Sequence, residues 1–324
     1  MDDQANDGRK QVSLFDEYKG TSDVNESPAT QYELDAAKHA LDELFKLTLQ
    51  YRSPAKFFEL MAFVRGFRFY SPYNALLIYL QMPGAAYVAP ARRWRDVYQR
   101  TVRPGERPLV ILQPGGPFMF VFDVSQTEGK PFPERITDPF KVATDVFIDL
   151  ELNRLVTNAV RDGVRLTEGS MGPGSAGKIE ETEARGRQSF YAGKDKQKKP
   201  VYVNVPIRYD LVVNGSQKGG TKYSTIAHEL GHLYCGHLGS PNRKWWPNRL
   251  GLKKEEVEFE AEAVSYLVCG RFGFIPPSAE YLAHYLTTDQ IPAISLECVV
   301  KVTGLIEDMS TMRLKPRKKG KGEA

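Results

Sequence analysis

The amino-acid sequence predicts an α+β fold in two folded parts, a small α+β domain followed by a larger one with a small mixed sheet. Apolar residues recur at helical spacing near the start of the folded region and in three long segments near its end. Between them lie short β-branched and aromatic runs separated by Gly-rich and Pro-rich turns, a pattern typical of strands. The length of 324 residues fits about two domains.

The domain boundaries follow from changes in composition. Residues 1–30 hold seven acidic and three basic residues without periodicity, so we expect a disordered acidic N-terminus. Residues 31–130 are predicted to form the small α+β domain, and residues 131–312 are predicted to form the larger one. The segment 313–324 holds six basic residues and one acidic residue, which predicts a basic disordered tail.

The individual elements follow from apolar spacing and from turn signals such as Pro83-Gly84 and Pro104-Gly105. In the first domain we predict helices at 34–48, 53–64, 72–80 and 94–98, then strands at 109–112 and 118–124. A Pro-rich linker is predicted at 129–140. In the second domain we predict a helix at 139–162, strands at 164–168, 178–181, 189–192 and 201–205, and helices at 221–237, 253–272 and 294–311.

Composition also restricts the class of protein. The chain has no apolar run near the ~20 residues of a membrane helix, and its first residues lack the apolar stretch of a secretory signal. Its three cysteines are odd in number, widely spaced and outside any CxxC pair, which argues against a disulfide framework or a cysteine zinc finger. We therefore expect a cytoplasmic protein without membrane contact.

The segment from Thr221 to His237 carries the strongest chemical signal. His228, Glu229 and His232 form an HExxH pattern, and residues i and i+4 share one face of a helix. Both imidazoles can therefore bind one zinc ion, with zinc–nitrogen distances of about 2.0–2.1 Å. Glu229 can reach a water on that ion without binding it, so we predict that Glu229 is the catalytic base. The alternative is two hydrogen-bonded histidines on an ordinary helix. The HExxH pattern would then be a coincidence, which occurs in on the order of one such chain in a hundred.

A glycine inside the predicted helix supports a special site. Gly231 costs about 1 kcal/mol relative to alanine, which is easier to explain if something must approach closely. The longer pattern HExxHxxGxxH fails, because Cys235 and Leu238 occupy its glycine and third-histidine positions. His237 lies about 140° around the helix from His232, so we predict a capping or surface histidine there.

The third ligand is sought in the next predicted helix, because a catalytic zinc site has three protein ligands and one open position. Glu258 and Glu262 are four residues apart, and the stretch from Ala261 to Cys269 is otherwise apolar or small. A carboxylate at the edge of a buried helix needs a partner. We predict that Glu262 is the third ligand, with Glu258 as second choice or as a residue that supports a ligand.

Two stretches carry a resemblance to known families. HELGHLYCGH and the later EFEAEAVSYLVCGRFG resemble the ImmA/IrrE family of metallo-endopeptidases and the peptidase half of ArdC-type antirestriction proteins. This resemblance implies a zincin-like metallopeptidase domain and maps the ligand glutamate onto Glu262. Residues 69–126 also resemble the N-terminal domain of ArdC-type proteins, through YSPYNALLIYLQMPGAAYVAPARRWRDVYQR, RPGERPLVILQP and FVFDVSQ. That second resemblance implies single-stranded DNA binding.

The same region interleaves arginines with aromatic residues. Arginines that bind phosphates and aromatic platforms that stack on bases are what unspecific single-strand binding requires. The alternative is a solvated basic helix with Trp94 and Tyr98 in the core, because a spacing of four is also core spacing. The candidate nucleic-acid residues are Arg92, Arg93, Trp94, Arg95, Tyr98, Arg100 and Arg103.

Together, the motif and the resemblance predict a zinc-dependent metallo-endopeptidase that cleaves a protein partner, of regulatory or antirestriction type, coupled to single-stranded DNA binding. An extended substrate is predicted to pair with the edge of strand 201–205, and Tyr223 and Tyr266 are candidate oxyanion donors. The alternative is a single-stranded nucleic-acid-binding antirestriction protein whose zinc site is structural rather than proteolytic.

Overall fold

The structure is a computed structural model that describes residues 51, 53–113, 116–132, 148–170, 176–183 and 186–317. The predicted acidic N-terminus, the helix at 34–48 and most of the linker lie outside these residues. Within them the fold is α+β, as predicted, with helices around four small sheets. No described helix is long and apolar enough to cross a membrane.

The elements run in the following order. The helices are α1 (Pro54–Gly66), α2 (Pro72–Gln81), α3 (Ala91–Asp96), α4 (Asp149–Ala159), α5 (Gly219–Tyr234), α6 (Lys254–Phe272), α7 (Ser278–His284) and α8 (Leu296–Thr311). The strands are β1 (Val88–Ala89), β2 (Arg100–Val102), β3 (Leu109–Gln113), β4 (Gly116–Asp123), β5 (Thr127–Gly129), β6 (Val164–Gly169), β7 (Gly177–Glu181), β8 (Arg187–Lys194), β9 (Pro200–Pro206) and β10 (Tyr209–Asn214).

In the first part of the chain, helix α2 covers the edge of an antiparallel sheet of order β1-β4-β3. The Asn74 amide donates to the Leu112 carbonyl at 3.0 Å and accepts from the Leu112 N–H at 2.9 Å. The Gln81 amide makes the same pair of bonds with Val110, at 2.9 and 2.8 Å. Two side-chain amides thus satisfy the backbone groups of an edge strand that a neighbouring strand would otherwise bind.

In the second part, β10 lies at the centre of a mixed sheet of order β6-β10-β7. It pairs parallel with β6 and antiparallel with β7, and helix α5 packs against β7. The small mixed sheet was predicted, but its central strand was not. Strands β8 and β9 form a separate antiparallel hairpin, which contains the predicted segment 201–205.

Among the described residues, the larger cluster of the apolar core joins elements on both sides of residue 130, where the sequence predicted a domain boundary. A single cluster of buried side chains includes residues from α1 and α2 together with residues from α5, α6 and α8. The rings of Phe57 in α1 and Phe259 in α6 lie 5.2 Å apart. Helices α1 and α2 therefore belong to the same core as the helices that follow residue 219.

The segment 313–317 is bound to the fold, unlike the disordered tail predicted from residue 313. The guanidinium of Arg317 binds buried Asp162 at 2.6 and 3.1 Å and lies over the rings of Trp245 and Trp246. The N–H of Leu314 donates to Asn158 at 3.0 Å. Residues 318–324 lie outside the described part of the chain.

Candidate metal centre

Helices α5 and α6 form the centre, and they pack closely where they cross. A Cβ atom built at Gly231 would lie 3.3 Å from the Cα of Ala261. The presence of Gly231 predicted that something approaches this helix closely, and in the structure helix α6 does so. This contact brings the histidine face of α5 against the acidic residues of α6.

Three ligand atoms converge at this crossing. The Nε2 atoms of His228 and His232 are 3.1 Å apart, and Oε2 of Glu258 lies 3.7 and 3.6 Å from them. The three atoms lie within 4.8 Å of one another. Two nitrogens that bind one tetrahedral zinc ion at 2.0–2.1 Å are separated by about 3.3 Å. The donor set and its spacing therefore fit one divalent cation.

Glu262 lies behind the centre, which differs from its predicted role as third ligand. Its Oε2 atom is 3.5 Å from Nδ1 of His228, the ring nitrogen that faces away from His232. The Ser278 hydroxyl also hydrogen-bonds the Glu262 carboxylate. Glu258, the second choice in the sequence, faces both Nε2 atoms, and Glu262 supports His228. Residues four apart share one helix face, so spacing alone could not separate these two roles.

The charges at the centre favour a cation. The contact with His232 is the largest cause that lowers the pKa of Glu258. Burial alone would raise the pKa of Glu262, but its contacts with His228 and Ser278 outweigh burial and lower it. Burial lowers the pKa of His232. Both carboxylates are therefore ionised and His232 is neutral near pH 7, the forms in which these groups bind metals. Burial alone would lower the pKa of His228, but the contact with Glu262 outweighs burial and raises it, so this ring must lose a proton when it binds a cation.

Glu229 lies between α5 and the edge strand β7. It is 8% exposed, and burial raises the pKa of its carboxyl group. The backbone N–H of Ile179 donates to this carboxylate. A Cβ atom at Gly177 would lie 2.5 Å from Cγ2 of Thr225 and 3.3 Å from Oε1 of Glu229, so β7 must begin with glycine. The sheet therefore holds Glu229 beside the ligands without making it one of them.

Two tyrosines predicted as oxyanion donors lie elsewhere. Tyr223 is fully buried, and its hydroxyl hydrogen-bonds Ser310 at 2.8 Å, so it faces the core. The ring of Tyr266 packs under the guanidinium of Arg65. Tyr281 of α7, which the sequence did not single out, is 37% exposed, and the negative charges of Glu258 and Glu262 are among the causes that raise its pKa, after burial.

The predicted nucleic-acid residues follow the alternative in which the aromatic residues belong to the core. Trp94 is 0% exposed, and its indole N–H donates to the Phe122 carbonyl at 2.8 Å. The hydroxyl of Tyr98 hydrogen-bonds that of Tyr87 at 2.6 Å. Trp94 therefore cannot serve as a base-stacking platform, and the indole stabilises the fold instead.

Each of the five predicted arginines has a local partner. Arg92 and Arg95 both bind Asp96, at 3.2 and 2.9 Å, and Arg103 binds Glu106 at 2.7 Å. Arg100 donates a hydrogen bond to Thr127, and the guanidinium of Arg93 lies over the ring of Tyr98. Arg92 and Arg95 keep side chains that are 60% and 67% exposed, so these two remain available to a ligand.

Comparisons with known proteins give two similar solved structures. No family model and no curated protein matches the chain. The two structures are those of the antirestriction protein ArdC from the R388 plasmid, one bound to Mn(II) and one metal-free. Each is 15% identical with a TM-score of 0.33, and the matches cover 73% and 75% of this chain and 85% of each ArdC chain. Such values identify neither fold nor function, and the ImmA/IrrE resemblance has no counterpart among these matches.

Proposed function

We propose that this protein is a zinc-dependent peptidase with its ion held by His228, His232 and Glu258. One observation carries the proposal: a buried carboxylate, Glu229, lies beside a three-ligand group and is not needed to hold the ion. Structural zinc sites are closed by four protein ligands, whereas catalytic sites have three and an open position. A purely structural site would give Glu229 no role at the ion.

The residues around the proposed ion position have separate roles in peptide hydrolysis. A zinc ion held there would lower the pKa of a bound water towards ~7 and polarise a carbonyl group. Glu229 accepts the proton from the attacking water and returns it to the leaving amine, since burial raises its pKa towards the working range of a general base. Tyr281, 37% exposed on α7, is the candidate donor to the carbonyl oxygen, because the charges of Glu258 and Glu262 reach it.

Strand β7 is the candidate substrate-binding edge. It pairs with β10 on one side, and no other described strand pairs with its outer side. An extended peptide added along that outer side would pass Glu229, because the N–H of Ile179 already points to its carboxylate. This replaces the predicted edge at 201–205, which belongs to the β8–β9 hairpin.

The proposal is tested by cleavage of a denatured peptide library, with products read by mass spectrometry. The zinc-loaded protein is expected to cut peptides, and both removal of zinc with a chelator and the His228→Ala variant are expected to abolish cutting. A zinc-loaded wild type that cuts no peptide in the library, or a His228→Ala variant that cuts as the wild type does, would contradict the peptidase proposal.

The ligand assignment predicts different effects at the two glutamates of α6. Glu258→Ala removes a direct ligand, so we expect the zinc content, measured by plasma mass spectrometry after dialysis, to fall from about one ion per chain to near zero. Glu262→Ala removes only the partner of His228, so we expect zinc affinity to fall by about 10–100-fold. Loss of zinc in Glu262→Ala with full retention in Glu258→Ala would reverse the assignment.

A second candidate is a single-stranded nucleic-acid-binding protein whose zinc site is structural. The observation that favours it is the exposed surface of the first part of the chain, where Phe120 is 56% exposed and Arg92 and Arg95 extend into solvent. Stacking on an aromatic ring and arginine contacts to phosphates suit such a ligand. This candidate predicts salt-sensitive binding of an oligothymidine that Glu229→Gln leaves unchanged.

A further inference from the structure

A buried chain of hydrogen bonds lies behind His232, on the side away from the ion position. Nδ1 of His232 is 3.1 Å from Nδ1 of His237, and Nε2 of His237 is 2.9 Å from Oε2 of Glu260. The side chains of His237 and Glu260 are 4% and 0% exposed. His237 is therefore neither the surface histidine nor the helix cap that the sequence predicted.

The far end of this chain is anchored by a charge pair. Arg249 binds both oxygens of Glu260, at 2.5 and 2.7 Å, and the backbone N–H of Ser295 donates to Oε1 at 2.8 Å. Both oxygens of Glu260 bind the guanidinium nitrogens, the arrangement of an ionised carboxylate. Glu260 can therefore only accept hydrogen bonds.

The acceptor character of Glu260 fixes the direction of these bonds when His237 is neutral. The Nε2 atom of His237 must then donate to the carboxylate, so its Nδ1 carries a lone pair. That lone pair can accept only if Nδ1 of His232 carries a hydrogen. His232 then presents the lone pair of Nε2 towards His228 and Glu258, as a metal ligand requires.

A cation does not explain the same group of atoms. Cys235, His237 and Glu260 have ligand atoms close enough to hold an ion. However, the guanidinium of Arg249 already binds both oxygens of Glu260, and its charge would repel a second cation. The cluster is therefore a hydrogen-bonded support rather than a second metal site.

We propose that His237 is a positioning residue for the metal centre, which accepts the Nδ1–H of His232 and is held in the required tautomer by Glu260 and Arg249. This inference rests on the proposed zinc site. It concerns a residue that does not touch the ion and acts through His232. His228 has an equivalent support in Glu262, so each histidine ligand is held by a separate acceptor.

The test measures the zinc dissociation constant by competition with a chromophoric chelator. His237→Phe keeps a ring but has no acceptor, and we expect it to weaken zinc binding by about 10–100-fold. His237→Gln keeps an acceptor oxygen for the Nδ1–H of His232, and we expect binding within about fivefold of wild type. His284→Phe, at an exposed histidine of α7, is the matched control and should not change the affinity.

Two further readouts separate positioning from a role in folding. The melting temperature of the metal-free variants reports folding, and His237→Leu replaces the phenylalanine variant if that one does not fold. In the zinc-loaded wild type and in His237→Gln, the Nδ1–H proton of His232 should exchange slowly with solvent by NMR. In His237→Phe it should exchange faster, an effect that a purely structural role would not produce.

The outcomes separate failure of the zinc site from failure of the positioning role of His237. If the wild type binds no zinc, the proposed metal centre fails. If the wild type binds zinc and the folded His237→Phe or His237→Leu variant binds it equally well, the zinc centre stands and the positioning role of His237 is overturned. Weaker binding that glutamine does not restore would likewise reject the acceptor role.

Discussion

Glu229→Gln is expected to bind zinc in the same amount as the wild type and to lose peptide hydrolysis by about 10²–10⁴-fold. The side-chain volume is unchanged, and the proposed ligands His228, His232 and Glu258 are untouched. A glutamine amide can still accept the N–H of Ile179 but cannot accept a proton from water. The measurement is kcat/KM on a peptide identified from the library, together with zinc content by plasma mass spectrometry.

The matched control is Glu255→Gln, an exposed acid in the first turn of α6. It changes the net charge by the same amount and should leave kcat/KM unchanged, because it lies outside the centre. Hydrolysis by Glu229→Gln at the wild-type rate would reject Glu229 as the base. Loss of zinc together with activity would instead mean that Glu229 helps to hold the ion.

Arg271→Ala is expected to lower the free energy of unfolding by about 3–5 kcal/mol, the typical effect of breaking a buried charge pair. The guanidinium is buried at the end of α6, where it binds Glu307 at 2.5 Å. It also donates to the carbonyls of three residues near the end of α1: Val64, Phe67 and Tyr70. The substitution leaves the Glu307 charge and three carbonyl groups without this partner.

Urea denaturation followed by circular dichroism measures this effect. Arg154→Ala is the control, because Arg154 donates one exposed bond to the Thr311 carbonyl at 3.1 Å and should change stability by less than about 0.5 kcal/mol. A loss below about 1 kcal/mol at Arg271 would mean that water replaces its hydrogen bonds. The first part of the chain would then be attached mainly by apolar contacts such as Phe57 with Phe259.

Local sequence patterns predicted the elements of this fold better than their arrangement. Helical spacing located α5, α6 and α8 within a few residues, and the HExxH spacing predicted that His228 and His232 share one face, as they do. Strand β10 was not predicted, although its alternate residues are buried, because it follows β9 after a break of only two residues. The sequence pattern of two short strands this close together resembles that of one irregular segment.

The differences between the predicted and the observed residue placements have a common physical cause. Whether Glu258 or Glu262 faces the two Nε2 atoms depends on how far α6 is displaced along α5, which the packing of Ala261 on Gly231 determines. Trp94 lies in the core because it packs against strand β4. The residues next to Trp94 in the sequence do not predict this packing. Periodicity predicts which residues share a face, but tertiary packing determines what that face contacts.

The bond from Arg271 to the Val64 carbonyl spans 207 positions of the sequence, and this separation has a consequence during synthesis. At about 5–20 residues per second, roughly 10–40 s pass between translation of the two residues. Until α6 leaves the ribosome, the apolar faces of α1 and α2 lack the helices that cover them in the native core. A nascent chain of this protein is therefore expected to expose apolar surface, and helices α1 and α2 reach their native packing only when helices α5 and α6 arrive.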